Sequence, residues 1–181
     1  MSTSATSTNT SKSNPSKSNP SKSNPLTLTF VCTGNICRSP MAEVIFAHAV
    51  AEAGLADQVR AISCGTGDWH VGQQADERAR AELAAHGYDG EAHRASQFGP
   101  EDEAADLIVA LDSGHRDRLL RRGMDPKKVR LLRSFDPASP AGASVDDPYY
   151  GGPEGFSRTR EEIEAAVPGL LDWAKQKVAE R

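Results

Sequence analysis

Leu26-Thr27-Leu28-Thr29-Phe30-Val31 runs directly into Cys32-Thr33-Gly34-Asn35-Ile36-Cys37-Arg38-Ser39-Pro40-Met41, and the fold is read outward from this stretch. The first six residues are β-rich and uncharged. Thr33-Gly34-Asn35 is loop chemistry. Ser39-Pro40 opens a helix, Ser as its cap and Pro in its first turn. Glu43 is expected in that first turn, where the helix dipole favours an acid. Met41, Val44, Ile45 and Val50 keep close to helical spacing, and Gly54 closes the element.

The same alternation continues downstream. Gln58 to Cys64 reads as a second strand, and Ala75 to His86 as a helix ended by Gly87. Asp106 to Leu111 is a nearly all-apolar third strand, as expected when both faces are covered. Ser113 to Arg122 is a charged helix stopped by Gly123, and Val129 to Leu132 is a fourth strand. A long Pro/Gly-rich loop spans Asp136 to Gly155. Phe156 to about Glu180 is helical, with a kink expected near Pro168-Gly169. Strands alternating with helices predict a single α/β domain over residues 26–181: a four-stranded, mainly parallel sheet with helices on both faces. Ligands of such sheets bind beyond the carboxyl ends of the strands. Cys32 and the long loop after Leu132 both fall on that rim.

Residues 1–25 stand apart. They are almost all Ser, Thr, Asn, Lys and Pro, and Ser-Lys-Ser-Asn-Pro occurs three times, ending at Pro15, Pro20 and Pro25. With nothing apolar to bury, this segment is read as a disordered tail. It lacks the apolar core of about 7–15 residues of a signal peptide. No stretch approaches the roughly 20 apolar residues of a membrane span. A cytoplasmic protein without membrane association is the expectation. The tail carries three Lys and no acid, so the remaining chain has 18 basic and 25 acidic residues, a net of −7. That argues against nucleic acid as a partner and requires any anion site to be built locally. The three cysteines, Cys32, Cys37 and Cys64, suggest neither a disulfide framework nor a zinc site. No metal and no cofactor are expected.

Cys32 to Ser39 has the form Cys-x5-Arg-Ser. A tight loop between strand and helix turns successive N–H groups inward, a cradle for phosphate oxygens, and the helix adds its positive end. Arg38 offers a planar fork to two of those oxygens. The same field stabilises a thiolate at Cys32, which can attack phosphorus in line. Gly34 relieves crowding, and Asn35 tolerates the left-handed backbone that such loops need. A buried cysteine with an unrelated surface arginine is the alternative; the placement between an apolar strand and a helix argues against it. A phenolate leaving group, conjugate-acid pKa about 10, calls for a general acid. Asp146-Asp147-Pro148-Tyr149-Tyr150 offers Asp147, with two aromatic rings to stack on an aryl substrate. Standing alone, without the cradle, Asp147-Pro148 would read as a plain turn.

Val31 to Glu43, together with Asp147-Pro148-Tyr149-Tyr150, resembles the low-molecular-weight protein-tyrosine phosphatases, the actinobacterial branch most nearly. The resemblance runs from about Leu26 to the C-terminus. It implies Cys32 as nucleophile, Arg38 as phosphate and transition-state ligand, and Asp147 as general acid and then base. It makes Thr33, Gly34, Asn35, Ile36, Cys37 and Ser39 the rest of the phosphate loop, and phosphotyrosine-containing proteins the substrates. It also implies Trp69, in Thr66-Gly67-Asp68-Trp69-His70, as a wall of the substrate cleft beside Tyr149 and Tyr150, although a Trp is often a core residue. Ser63 and His93 would support the cradle in a network with Asn35 and Ser39; a lone His is otherwise a surface or capping residue. His48, His70, His86 and His115 show no ligand spacing and are read as surface or cap residues. Cys37 is either a floor residue or a thiol that captures an oxidised Cys32, and Cys64, where the family has Ala, is read as an inert buried thiol. Tyr149 and Tyr150 are themselves candidate targets of a tyrosine kinase. Two rival readings stand beside this one. A thioredoxin-coupled arsenate reductase of this fold needs a relay of further cysteines, and none follows Cys64. A non-catalytic phosphotyrosine-binding module would not need the full catalytic set.

Overall fold

A computed structural model describes residues 24–181; apart from Asn24 and Pro25, the tail expected at 1–25 lies outside the described residues. Four parallel strands, β1 (Leu26–Cys32), β2 (Val59–Gly65), β3 (Leu107–Ala110) and β4 (Val129–Leu131), form one sheet in the order β2-β1-β3-β4. The helices are α1 (Arg38–Glu52), α2 (Glu77–Ala85), α3 (Pro100–Glu103), α4 (Ser113–Arg121) and α5 (Pro153–Ala179), with a 3-10 turn at Leu132–Phe135. Among the described residues no helix is long and apolar enough to cross a membrane.

The period-2 alternation of β1 divides the core in two. Leu28, Phe30 and Cys32 face α1 and α5, packing with Met41, Ile45, Phe46, Phe156 and Ile163. Val31 faces the other side, with Ile108, Ala110, Val129 and Leu119 of α4. Register then separates two of the cysteines. Cys64 pairs with Val31 and packs on the α4 side, its sulfur 3.7 Å from Thr29 Oγ1, whereas Cys32 belongs to the α1 side.

Three details differ from the sequence reading. Ser39 does not cap α1: the N-cap is Cys37, without a side-chain cap bond, because the Ser39 hydroxyl is used inside the cradle. Glu43 lies beyond the first turn, where no acid occurs. α5 starts earlier than Phe156, at Pro153, in the N-terminal position that proline suits, and runs through Pro168 to Ala179. Gly169 lets that helix settle on the 3-10 turn, since a Cβ there would lie 2.1 Å from the Phe135 carbonyl oxygen.

A second close approach shapes the rim. A Cβ at Gly65, the last residue of β2, would meet Thr33 O at 2.6 Å and Asn35 N at 3.1 Å, both backbone atoms of the cradle. Gly65→Ala should therefore push the cradle out of shape at an overpacking cost of about 1–3 kcal/mol. Melting temperature should fall about 2–4 °C per kcal/mol in a chain of this size, and inorganic phosphate should inhibit more weakly. A variant with unchanged melting and unchanged phosphate inhibition would show that this contact does not constrain the loop.

Candidate active site

The cradle is the loop between β1 and α1. Its turn is made at Asn35, the non-glycine residue with positive φ (57°) among those described, fully buried. Four groups hold it. Ser96 N–H donates to Asn35 Oδ1 (2.9 Å), which fixes the amide orientation, so Nδ2 must donate to Ser39 Oγ (2.8 Å) and Ser63 Oγ (3.0 Å). His93 Nε2 lies 2.8 Å from the Asn35 carbonyl, an acceptor only, so that nitrogen carries the proton. Ser63 in turn donates to Glu43 Oε2 (2.7 Å), and His93 Nδ1 is 3.4 Å from the same oxygen. Ser39 Oγ, already an acceptor from Asn35, stands 2.8 Å from Cys32 Sγ and 3.4 Å from the Cys64 carbonyl. In the shorter contact either partner can be the donor.

Arg38 opens α1 with its side chain 5% exposed. Nη1 donates to Asp112 Oδ2 (2.8 Å) and to the Val145 carbonyl (2.9 Å). Among the described residues its Nε and Nη2 make no protein hydrogen bond, although Nη2 lies 3.8 Å from Asp147 Oδ2. Those two nitrogens form an unengaged edge of the planar fork, a geometry able to bind an oxyanion bidentately. Asp112 caps α4, accepting from His115 N (2.9 Å). Burial pushes its carboxyl up, but the His115 N–H and Arg38 outweigh this and hold it below the usual range.

His115 is not the surface or cap residue expected. It is buried, with Nε2 2.9 Å from Thr33 Oγ1 in the cradle and Nδ1 3.2 Å from Asp112 Oδ1. That second contact is too poorly aligned to be a hydrogen bond. Burial lowers its pKa from the ordinary 6.5 to about 4, Asp112 opposing and Arg38 assisting. His70 also departs from the surface reading: its ring covers Gly34 and lines the site.

These groups meet in a pocket of about 290 Å³ with Cys32 and Cys37 at its base, Arg38 and Asp147 at its side, and Trp69, Tyr149 and Tyr150 around its mouth. Trp69 is 66% exposed, so it is no core residue, and Tyr150 is 91% exposed. Thr33, Gly34 and Ile36 complete the lining; Ser63 and His93 stand behind the cradle. Burial, then Asp76, Cys32 and Asp147, push the Cys37 thiol up, as suits a protonated residue filling the floor. Burial likewise pushes the Cys64 thiol up, on the far side of the sheet. Asp112, His115, Glu43 and Ser96 were not foreseen as parts of the site. Only Asp112 carried a usable signal, its position directly after the strand that the sequence ends at Leu111, on the ligand-binding rim.

The His115 shift has a defined consequence. The unfolded chain takes up the proton near pH 6.5 and the folded one near 4, so between these values the unfolded state binds more protons and stability falls as pH falls. Thermal melting from pH 7 to 4 should decline less steeply for His115→Gln than for the parent. Parallel profiles would show that His115 does not titrate in that window.

The chain matches the family model described as low molecular weight phosphotyrosine protein phosphatase over residues 27–180. It is 54% identical over 155 residues to low molecular weight protein-tyrosine phosphatase A of Mycobacterium bovis, covering 85% of this chain and 94% of that protein. A Streptomyces coelicolor low molecular weight protein-tyrosine-phosphatase is 53% identical over 158 residues, covering 84% and 95%. A crystal structure of protein tyrosine phosphatase from Entamoeba histolytica, with Hepes in the active site, superposes with a TM-score of 0.79 at 32% identity, over 84% of this chain and 98% of the other. With the sheet order, the cradle and the acid loop in place, the chain belongs to the low molecular weight phosphotyrosine protein phosphatase family.

Proposed function

We propose that the chain hydrolyses phosphotyrosine in proteins through a phosphocysteine intermediate, the catalytic unit being residues 26–181. The carrying observation is the convergence of Cys32, Arg38 and Asp147 on one pocket with an aromatic mouth. Cys32 attacks phosphorus as the thiolate, forming the S–P bond while the P–O(aryl) bond breaks. Asp147, protonated, gives its proton to the departing phenolate oxygen. The free edge of Arg38 and the inward N–H groups bind the equatorial oxygens as charge redistributes among them. Asp147, now a carboxylate, takes a proton from the water that attacks phosphorus. The S–P bond breaks, inorganic phosphate leaves, and Cys32 recovers its electron pair with Ser39 as donor. Trp69, Tyr149 and Tyr150 line the same pocket as Cys32 and offer a phosphotyrosine ring aromatic faces to stack on; an alkyl phosphate brings no ring to them.

Release of inorganic phosphate from a phosphotyrosyl peptide should be abolished in Cys32→Ser and reduced about 10²–10⁴-fold in Asp147→Asn, the range that a general acid contributes. A wild-type protein that binds the peptide without turnover would sink the enzyme reading.

We further infer that a tyrosine kinase acts on Tyr149 and Tyr150. The support is exposure, 39% and 91%, on the acid loop itself. A phosphate there adds about −1.5 to −2 charges beside an anion site. Mass mapping after incubation with a tyrosine kinase should find the modification on this pair; its absence from both residues would remove the inference.

A further inference from the structure

The acid loop is thinly attached where it matters. Val145 is buried and its N–H donates to Leu111 O (2.8 Å). Beyond it, Asp146, Asp147, Tyr149 and Tyr150 are all exposed, and only Pro148 is buried. Within the loop, Tyr149 N–H donates to Asp147 Oδ1 (3.1 Å), and Gly151 N–H to Pro148 O (3.1 Å). Among the described residues, one hydrogen bond reaches the backbone of residues 146–151 from elsewhere in the fold: Arg78 Nη1–H to Tyr149 O (2.9 Å).

Arg78 is itself held on several sides. It lies in the first turn of α2, and its Nε and Nη2 fork onto Asp76 Oδ1 and Oδ2, both at 3.0 Å. Asp76 is also the N-cap of that helix, accepting from Arg78 N (2.9 Å). The guanidinium carbon lies 5.3 Å from the Tyr149 ring centroid and 4.7 Å from that of Phe156, in the first turn of α5. At the other end, Asp76 N–H donates to the carbonyl of Ile36 in the cradle (2.7 Å). A continuous path therefore runs from the cradle through Asp76 and Arg78 to Tyr149, and through the Tyr149 N–H to the carboxylate of Asp147.

We propose that Arg78 is a positioning residue for the general acid: it clamps the acid loop to the helix start that also braces the phosphate cradle, and so sets the distance between Asp147 and the leaving oxygen. The inference rests on the reading of Asp147 as general acid. Arg78 touches neither phosphate nor phenol in this arrangement. Its planar fork satisfies Asp76 and the Tyr149 carbonyl at once, which one lysine ammonium on a flexible stem does not do as well. A catalytic group misplaced by about 1 Å can cost on the order of 10²-fold in rate, so a clamp on an otherwise exposed loop has large leverage.

The test uses the leaving group, because a structural defect lowers all substrates alike and a misplaced acid does not. kcat/KM, which reports formation of the phosphocysteine, is measured with p-nitrophenyl phosphate, whose phenolate leaves readily without a proton, and with phenyl phosphate, whose phenolate does not. Arg78→Met should lose roughly ten-fold or more with phenyl phosphate, part of the about 10²–10⁴-fold of general-acid catalysis, and much less with p-nitrophenyl phosphate. Arg78→Lys should fall between Met and the parent. Competitive inhibition by inorganic phosphate, which reads the cradle alone, should be unchanged. In an Asp147→Asn background, Arg78→Met should cost nothing further with either ester. Equal losses on both esters, or a full additional loss in the Asp147→Asn background, would overturn the clamp. An Asp147→Asn single variant without leaving-group selectivity would instead overturn the assignment of the acid.

Discussion

A left-handed backbone costs a residue with a Cβ about 1–3 kcal/mol, and the phosphate cradle has its shape only while Asn35 stays in that conformation. Four polar contacts converge on this buried residue, from Ser96, Ser39, Ser63 and His93. At about 0.5–1.5 kcal/mol net each, they outweigh the strain. Asparagine suits the place because it tolerates the left-handed region better than other residues with a Cβ, and because its amide both donates and accepts. A glycine would relieve the strain but lose the side-chain bonds. The contacts come from Ser39 at the start of α1, from β2 and from the segment after α2, so two of the three bracing parts are distant in sequence. Glu43 closes the network by accepting a hydrogen bond from the Ser63 hydroxyl and facing His93.

Arg38 presents the opposite electrostatic problem. A guanidinium lining an anion pocket has to be ready for a dianion without being left uncompensated, since removing one partner of a buried pair costs about 3–5 kcal/mol. Asp112 and the Val145 carbonyl share a single nitrogen, Nη1, and leave the other edge free. The charge is thus balanced while the phosphate-binding geometry stays available. His115 fits the same logic. Beside a buried cation, an imidazolium would add a second positive charge away from water; burial and Arg38 keep it neutral, while it meets Thr33 from behind.

The parallel sheet, the cradle and the acid loop were legible because each leaves a local pattern: an apolar run into Cys-x5-Arg, alternating strands and helices, Asp-Pro followed by two tyrosines. Element ends shifted by a few residues where side chains had tertiary work. Ser39 reads as a cap from its neighbours in sequence, yet its hydroxyl is taken by Cys32 and Asn35, whose positions depend on the folded loop. Glu43, Ser96, Asp112 and His115 gave no comparable pattern, since each acts through a partner at least 20 residues away or through a partner of that partner. A histidine in Asp-Ser-Gly-His reads as the polar start of a helix. Only the meeting of α4 with the cradle across the sheet rim turns it into a buried neighbour of Thr33.

The two halves of the site are built to different standards of rigidity, and the chemistry explains why. The cradle must hold a fixed trigonal arrangement of oxygens, so it is buried and cross-linked by hydrogen bonds. On the proposed reading the acid exchanges protons with water in each turnover, and Asp147 is exposed, its side chain 47% accessible, so it is not fixed by burial in the manner of Arg38. A group that has to stay wet can be held only through its backbone and from its flank. Asp147-Pro148 narrows the backbone freedom, and the Asp147 carboxylate is steadied by the next free N–H, that of Tyr149. The carbonyl of that same residue is held by Arg78 from a helix start that also bonds the cradle. Precision at an exposed acid is thereby borrowed from the buried loop opposite it, through one side chain that itself remains outside the pocket.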